Sequence, residues 1–258
     1  MQSESIVSDF YRANVAREWR RLVKSPFNRL EYETTFYYLK KHLPPSGLVI
    51  DAGGGPGRYT IALAELGYDV ILYDLTPDNL TFARRRIARA RVKGRIQDIA
   101  DGSIVDLSRY PSGHFDAVLC LGGPLSHVDG SDERLRAMRE LRRIAKPGAP
   151  VFISVMGLLA VLSETPRYWP QWIGVDDKFR KAWQTGDDRA WCKTSFAHFF
   201  LPEEFRDLVE AGGLEIVECV GLEGLGSHSI QEINRLARND PDAWKNWLEA
   251  HAALRTHP

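Results

Sequence analysis

Val49-Ile50-Asp51-Ala52-Gly53-Gly54-Gly55-Pro56-Gly57 decides the fold, because a short apolar run delivers an acidic residue directly into a turn with four glycines. Leu48, Val49 and Ile50 read as the end of a strand buried on both faces, and Thr60 to Leu66 as the helix that follows it. Glycines between them permit positive φ and let a ligand lie against bare backbone, which marks a nucleotide site. Gly67-Tyr68-Asp69 closes the helix, and Val70-Ile71-Leu72-Tyr73 is a second apolar run ending in Asp74. A carboxylate about twenty residues beyond a glycine turn, at the tip of the next strand, is placed to accept both hydroxyl hydrogens of a ribose.

Spacing separates one nucleotide from another. The dinucleotide fingerprint is Gly-x-Gly-x-x-Gly, whereas this turn reads Gly53-x-Gly55-x-Gly57 with Arg58 where the third glycine would stand, a poor match to NAD. Asp51 to Gly57 resembles motif I of the class I S-adenosylmethionine-dependent methyltransferases, written Asp/Glu-x-Gly-x-Gly-x-Gly. Four further landmarks follow in the order this resemblance implies. Tyr73-Asp74-Leu75 fits the acidic end of the family's second strand, and Thr76-Pro77-Asp78 opens the next helix with an N-cap and a proline at its first position. Gly102-Ser103-Ile104-Val105-Asp106-Leu107 looks like the third-strand motif, with Ser103 in place of the usual first acid. Phe115 to Leu121 resembles the fourth strand, followed by the loop Gly122-Gly123-Pro124-Leu125-Ser126-His127. Ile144 to Gly148 and then Val151 to Val155 resemble the helix, turn and fifth strand.

The resemblance implies an α/β fold, a doubly wound, mostly parallel Rossmann-like sheet, with S-adenosyl-L-methionine as cofactor and S-adenosyl-L-homocysteine as product. Alternation of strands and helices independently implies a parallel sheet with helices on both faces. Such sheets bind ligands at their strands' carboxyl ends, where Asp51, Asp74, Asp106 and the loop 121–127 all fall. By resemblance, Asp51 and the Gly53 backbone bind the methionine part, and Gly55 and Gly57 allow close approach. Asp74 holds the ribose and Leu75 the adenine face. Asp106, followed by Leu107, meets the adenine amino group, with Asp98 or Asp101 as rivals. Leu121 and Gly122 border the sulfonium.

His127, on the loop after the fourth strand, is the first candidate for a general base, because histidine titrates near working pH. A histidine hydrogen-bonded for structure is the competing reading. His198, flanked by Phe196 and Phe199, is a second candidate if the segment carrying it folds over the pocket. Asp116 precedes the apolar run of the fourth strand and reads as structural.

The 258 residues, 44% apolar and 26% charged, suffice for one large domain with appendages. We divide them into an N-terminal helical cap (1–45), the cofactor-binding core (46–156), an aromatic insert (157–200) and a C-terminal part of the core with terminal helices (201–258). Val7, Tyr11, Val15, Trp19 and Leu22 recur at helical spacing, and a second helical pattern runs from about Arg29 to His42. The insert carries Tyr168, Trp169, Trp172, Phe179, Trp183, Trp191, Phe196, Phe199 and Phe200. Aromatic faces suit an apolar, planar or cationic acceptor, which makes Tyr11, Trp19, Trp169 and Trp172 the candidate acceptor contacts. Leu214 to Val220 reads as a sixth strand, after which Ser229 to Ala237 and Pro241 to Leu254 look helical. Either the sheet then ends differently from the family's, or a seventh strand lies beyond Pro258.

Net charge is +0 and the pI about 7.1, so no global field draws in a polyanion. The arginines from Arg84 to Arg91, with Lys93 and Arg95, and those from Arg134 to Arg143 alternate with apolar residues at core spacing and read as solvated helix faces. Cys120, Cys192 and Cys219 are widely spaced and odd in number, which suits neither a disulfide framework nor a zinc site; a reducing cytoplasm is expected, without signal peptide or membrane span. The expected activity is methyl transfer to a small molecule, with RNA or protein methylation, or a catalytically silent cofactor-binding subunit, as alternatives.

Overall fold

The computed structural model describes residues 2–174, 176–190 and 196–256. Two helices come first, α1 (Gln2–Arg21) and α2 (Pro26–His42). An alternating series follows: β1 (Leu48–Ala52), α3 (Arg58–Glu65), β2 (Asp69–Asp74), α4 (Pro77–Ala90), β3 (Ile96–Asp101), β4 (Ala117–Cys120), α5 (Ser131–Ile144) and β5 (Val151–Ile153). The strands form one parallel sheet in the order β3-β2-β1-β4-β5. The order reverses between β1 and β4, and this switch point places the crevice of an open α/β sheet at the carboxyl end of β1.

Packing explains why these runs are strands. Val49, Ile50, Val70, Leu72 and every residue of β4 are inaccessible to solvent, as strands covered on both faces must be. Asp116 ties the start of β4 to that of β1, accepting the Leu48 amide at 2.9 Å and the Lys146 ammonium at 2.6 Å, the structural part read for it from sequence. The Lys146 contact and the Leu48 amide hold its carboxyl below the usual range.

After β5 come α6 (Leu158–Tyr168), α7 (Pro170–Ile173) and α8 (Asp176–Thr185), and then α9 (Pro202–Ala211). The ends of this excursion meet, since Gly157 and Phe200 form a parallel bridge and the Leu158 amide donates to the Phe200 carbonyl at 2.8 Å. Trp191 and Cys192 lie outside the described residues.

Three expectations need correction. The sixth strand is absent among the described residues: Leu214–Val220 carries no ladder, and Val217 is 75% exposed where a core strand would bury it. The third-strand motif 102–107 is not the strand itself but the loop after β3. Lys93 and Arg95 fall in a short 3-10 turn beyond the end of α4 rather than on the helix.

The chain divides into two compact units. One holds the described residues up to Glu18 together with Leu43–Glu215, and so contains the whole sheet. The other joins Trp19–His42 to the segment from Ile216 onward. In this second unit α2, α10 (Ile230–Asn239) and α11 (Pro241–Leu254) bury Phe27, Leu30 and Ile233 against Ile230, Trp244, Trp247 and Leu248. Trp244, Trp247 and His251 stack in a ladder along α11, one ring per helical turn.

Candidate functional site

Asp51 stands at the end of β1 with no solvent exposure. Its Oδ2 accepts the Thr60 amide at 3.0 Å and the Thr60 hydroxyl at 2.6 Å, while Oδ1 has no hydrogen-bond partner among the described residues. Burial pushes this carboxyl up to about 6. A buried acceptor without a donor is costly and marks a place where a ligand donor fits.

The turn that follows needs glycine for two different reasons. Gly53 has φ +77° and a Cβ there would lie 2.4 Å from the Pro124 side chain, so the loop after β4 rests directly on the turn. Gly55 has φ +56° with only Asn79 within 4 Å of a built Cβ, which leaves its backbone open on that side. Gly57, also left-handed, caps α3 and presents that helix's first amides toward the turn.

Asp74, 7% exposed at the end of β2, clamps the turn. Its Oδ2 accepts the Gly55 amide at 2.8 Å, and its Oδ1 accepts the Thr76 amide at 2.9 Å and the Asn79 amide group at 3.1 Å. Burial raises this carboxyl, and those three donors pull the other way. Thr76 is the N-cap of α4 as read from sequence, but its side chain makes no cap bond; the helix start is organised through Asp74 and Asn79 instead.

Beyond β4, Leu121 is buried and the Gly122 amide donates to the Ser154 hydroxyl at 2.8 Å. Pro124–His127 forms a 3-10 turn that ends on the candidate base. His127 Nδ1 lies 2.6 Å from the Phe196 carbonyl, which only accepts, so Nδ1 carries the proton. Its Nε2 lies 2.8 Å from the Tyr11 hydroxyl and therefore accepts from it. Burial lowers the pKa of this ring and favours that neutral form.

Asp51, Gly53, Gly55, Gly57 and Asp74 are thus brought together in one constellation, and Tyr11 and His127 in another. Leu75 is half-buried beside Asp74. Asp106 is exposed, with its carboxylate accepting the Ser108 amide at 3.0 Å, and its rival Asp98 pairs with Arg109 at 2.9 Å. Leu107 is in the core, its amide bonded to Glu140 at 2.9 Å. Trp169 and Trp172 stack on each other with centroids 4.9 Å apart, and Trp19 belongs to the second compact unit. His198 is 2% exposed and wedged between carboxylates, with Nδ1 2.8 Å from Asp187 and Nε2 2.6 Å from Glu204.

Sequence reasoning passed over Thr60, Asn79 and Pro124. Thr60 and Asn79 are polar residues in the first turns of the two helices that follow Asp51 and Asp74, and that position was the available signal.

Residues 49–148 match the model of a methyltransferase domain. A glycine/sarcosine N-methyltransferase of Parasynechococcus marenigrum is 34% identical over 131 residues, 50% of this chain and 44% of that protein. A ubiquinone biosynthesis O-methyltransferase of Xanthomonas axonopodis pv. citri is 33% identical over 120 residues, 46% of this chain and 47% of that protein. Residues 49–148 thus carry a methyltransferase domain. The chain spans about half the length of these two relatives. The fold agrees: a SAM-dependent methyltransferase from Methanosarcina mazei, 22% identical, superposes with a TM-score of 0.53 over 68% of this chain and 82% of that one.

S-adenosylmethionine is the cofactor of this methyltransferase family, and the residues present fit it. The donorless Asp51 Oδ1 suits an ammonium, the bare face at Gly55 admits a nucleoside, and Asp74 has lone-pair capacity left on Oδ2.

Proposed function

We propose that this protein transfers the methyl group of S-adenosylmethionine to a small-molecule acceptor by in-line displacement. The observation that carries the reading is Asp51 Oδ1, a fully buried carboxylate oxygen without a donor, beside a glycine turn clamped by Asp74 at the switch point of the sheet. The cofactor, when bound, supplies a methyl group already activated on a sulfonium, so the chain mainly has to bind, orient and exclude water.

Asp51 Oδ1 would hold the ammonium of the methionine part, helped by the backbone at Gly53. Asp74 already uses three acceptor positions on Gly55, Thr76 and Asn79. Its free position on Oδ2 would take one ribose hydroxyl. Leu75 would cover the adenine face, and Leu121 and Gly122 would border the sulfonium. His127, neutral with its proton on Nδ1, is equipped to take the acceptor's proton at Nε2 once Tyr11 has moved aside.

A small acceptor is supported by zero net charge, by the aromatic segment between β5 and α9 whose ends meet at the Gly157–Phe200 bridge, and by relatives whose names speak of glycine/sarcosine and of ubiquinone biosynthesis. No helix among the described residues is long and apolar enough to cross a membrane.

Calorimetric titration with S-adenosylhomocysteine and with NAD, for the wild-type protein and Asp74→Ala, tests the site. Binding of S-adenosylhomocysteine alone, lost in the variant, is expected; NAD binding would overturn the assignment. Methyl transfer from labelled S-adenosylmethionine to glycine, sarcosine and catechol, against bulk transfer RNA, then tests the acceptor class, and labelling of the RNA would reverse it.

A further inference from the structure

One peptide group joins His127 to a buried carboxylate. The Phe196 carbonyl, which accepts the His127 Nδ1 proton at 2.6 Å, belongs to the same peptide as the Ala197 amide, and that amide donates to Asp188 Oδ1 at 2.9 Å. Asp188 grips the segment a second time, since its own amide donates to the Ala197 carbonyl at 3.0 Å. It opens the short 3-10 turn Asp188–Ala190 after α8, and the adjacent antiparallel bridge between Asp187 and His198 keeps that turn in register with the segment.

Burial makes this chain of bonds count. Phe196, Ala197 and Asp188 are 3%, 5% and 6% exposed, so water does not interrupt it. An amide that donates to a carboxylate shifts electron density toward its own carbonyl oxygen, because the planar peptide conjugates the two. The Phe196 oxygen thereby becomes a stronger acceptor for the Nδ1 proton, and a ring held in that way is a stronger base at Nε2. A carboxylate bonded directly to a histidine acts in one step; here a peptide stands between them.

The other charged groups around the pair have partners of their own. Asp187 and Glu204 flank His198, Arg134 acts on both of those carboxylates, and Arg189 lies over the Phe196 ring at 4.7 Å and pairs with Asp129. Burial, with a smaller push from Asp187 against the pull of the Ala197 amide, raises Asp188 to about 6, which leaves it charged at neutral pH.

We propose that Asp188 is a positioning residue for the base: acting through the Phe196–Ala197 peptide, its carboxylate fixes the proton of His127 on Nδ1 and strengthens Nε2 as a base. The proposal rests on the reading of His127 given above and adds the group that tunes it. When Nε2 takes the acceptor's proton the ring becomes a cation, and the carboxylate at the far end of the peptide offsets part of that charge. The coupling is complete while Asp188 is ionised and fades as pH falls through about 6.

NMR titration of the histidine rings decides it, using the whole chain as wild type, Asp188→Asn and Asp187→Asn, with His127 assigned by its missing signal in His127→Gln. Asp188→Asn keeps an oxygen for the Ala197 amide and removes the charge. It is expected to lower the His127 midpoint by roughly 0.5 to 1 pH unit and to leave affinity for S-adenosylhomocysteine within about twofold. Asp187→Asn removes a neighbouring, 38% exposed charge that has no bond to this peptide, and should move the midpoint by less than about 0.2. A purely structural aspartate would change the thermal midpoint of Asp188→Asn and leave the His127 titration in place. That result, or equal displacement in the two variants, overturns the relay. Should Asp188→Asn not fold, His127→Gln supplies the answer. With the ring gone, the Ala197 amide nitrogen and the Phe196 carbonyl carbon are expected to titrate together near pH 6, and a carbonyl that stays still overturns the relay as well. These titrations need neither donor nor acceptor, so their failure strikes the relay alone. Failure of the wild-type protein to bind S-adenosylhomocysteine overturns the donor site and, with it, the base that Asp188 would serve.

Discussion

Asp74, at the end of β2, accepts the backbone N–H of Gly55, in the turn after β1, at 2.8 Å. The acid that the family resemblance assigns to the ribose is therefore also the clamp of the turn on which the methionine part would lie. On the proposed reading, binding and local folding share one carboxylate.

Replacing Asp74 separates the two duties. Asp74→Ala leaves the amides of Gly55 and Thr76 and the Asn79 amide group without their acceptor in a buried place. This should cost about 2–4 kcal/mol of stability and abolish binding of S-adenosylhomocysteine. Asp74→Asn keeps one acceptor oxygen and should recover part of the stability but little of the affinity. Thermal unfolding read beside calorimetry checks this; full affinity in either variant would remove Asp74 from the site.

The pH dependence of Asp51 has opposite signs for folding and for binding. Its carboxyl is raised by burial from the ordinary range near 4 to about 6. Between those values the unfolded chain has released the proton and the folded chain still holds it, so stability falls as pH rises through that window and is level above it. An ammonium beside Oδ1 favours the ionised form. Affinity for S-adenosylhomocysteine should therefore weaken as pH drops below about 6, with proton release on binding near that pH. Titration in two buffers of different ionisation enthalpy measures the released proton. Asp188, also raised to about 6 by burial, contributes to stability in the same window, so Asp51→Asn should abolish the proton release yet only part of the stability change.

His198 should behave as a structural residue. Wedged between Asp187 and Glu204, with the buried Arg134 also acting on both carboxylates, it joins the segment before α9 to the core. His198→Ala removes the ring that bridges those carboxylates. Because both are partly exposed, the cost should be on the order of 1–3 kcal/mol. S-adenosylhomocysteine affinity should be unchanged in calorimetry; a large loss of affinity without loss of stability would return His198 to the site.

The parts that sequence revealed and concealed differ for physical reasons. Four apolar runs and a glycine turn have local signatures, because a strand covered on both faces must be apolar along its whole length and a left-handed turn needs glycine. Leu214–Val220 has the apolar, β-branched content of a strand, yet the chain passes from one compact unit to the other between Glu215 and Ile216, and the segment never joins the ladder. Which acid near β3 faces a ligand was not legible either. Asp98 and Asp106 are distinguished by bonds to Arg109 and Ser108, which depend on how a loop turns rather than on composition. The Tyr11–His127 pair joins residues 116 positions apart, and each had been selected singly on chemical type.

Three of the turn's four glycines should tolerate a methyl group unequally. At Gly53 a Cβ would stand 2.4 Å from the Pro124 ring, a stiff neighbour, and the residue has φ +77°. At Gly54 it would meet the Asp51 carboxylate carbon at 2.5 Å and the Leu72 side chain at 2.6 Å, displacing the acid from Thr60. At Gly55 the nearest atom would be 3.8 Å away, so only the left-handed φ of +56° penalises the change. Gly55→Ala should thus cost about 1–2 kcal/mol and fold normally. Gly53→Ala and Gly54→Ala should cost several kcal/mol, because neither neighbour yields without moving a strand end or a loop. The ranking reverses if stability is replaced by binding as the measure for Gly55. Its open face is where the nucleoside would lie, so Gly55→Ala should combine a near-normal thermal midpoint with a large loss of S-adenosylhomocysteine affinity. Retention of affinity in that variant would move the nucleoside away from the turn.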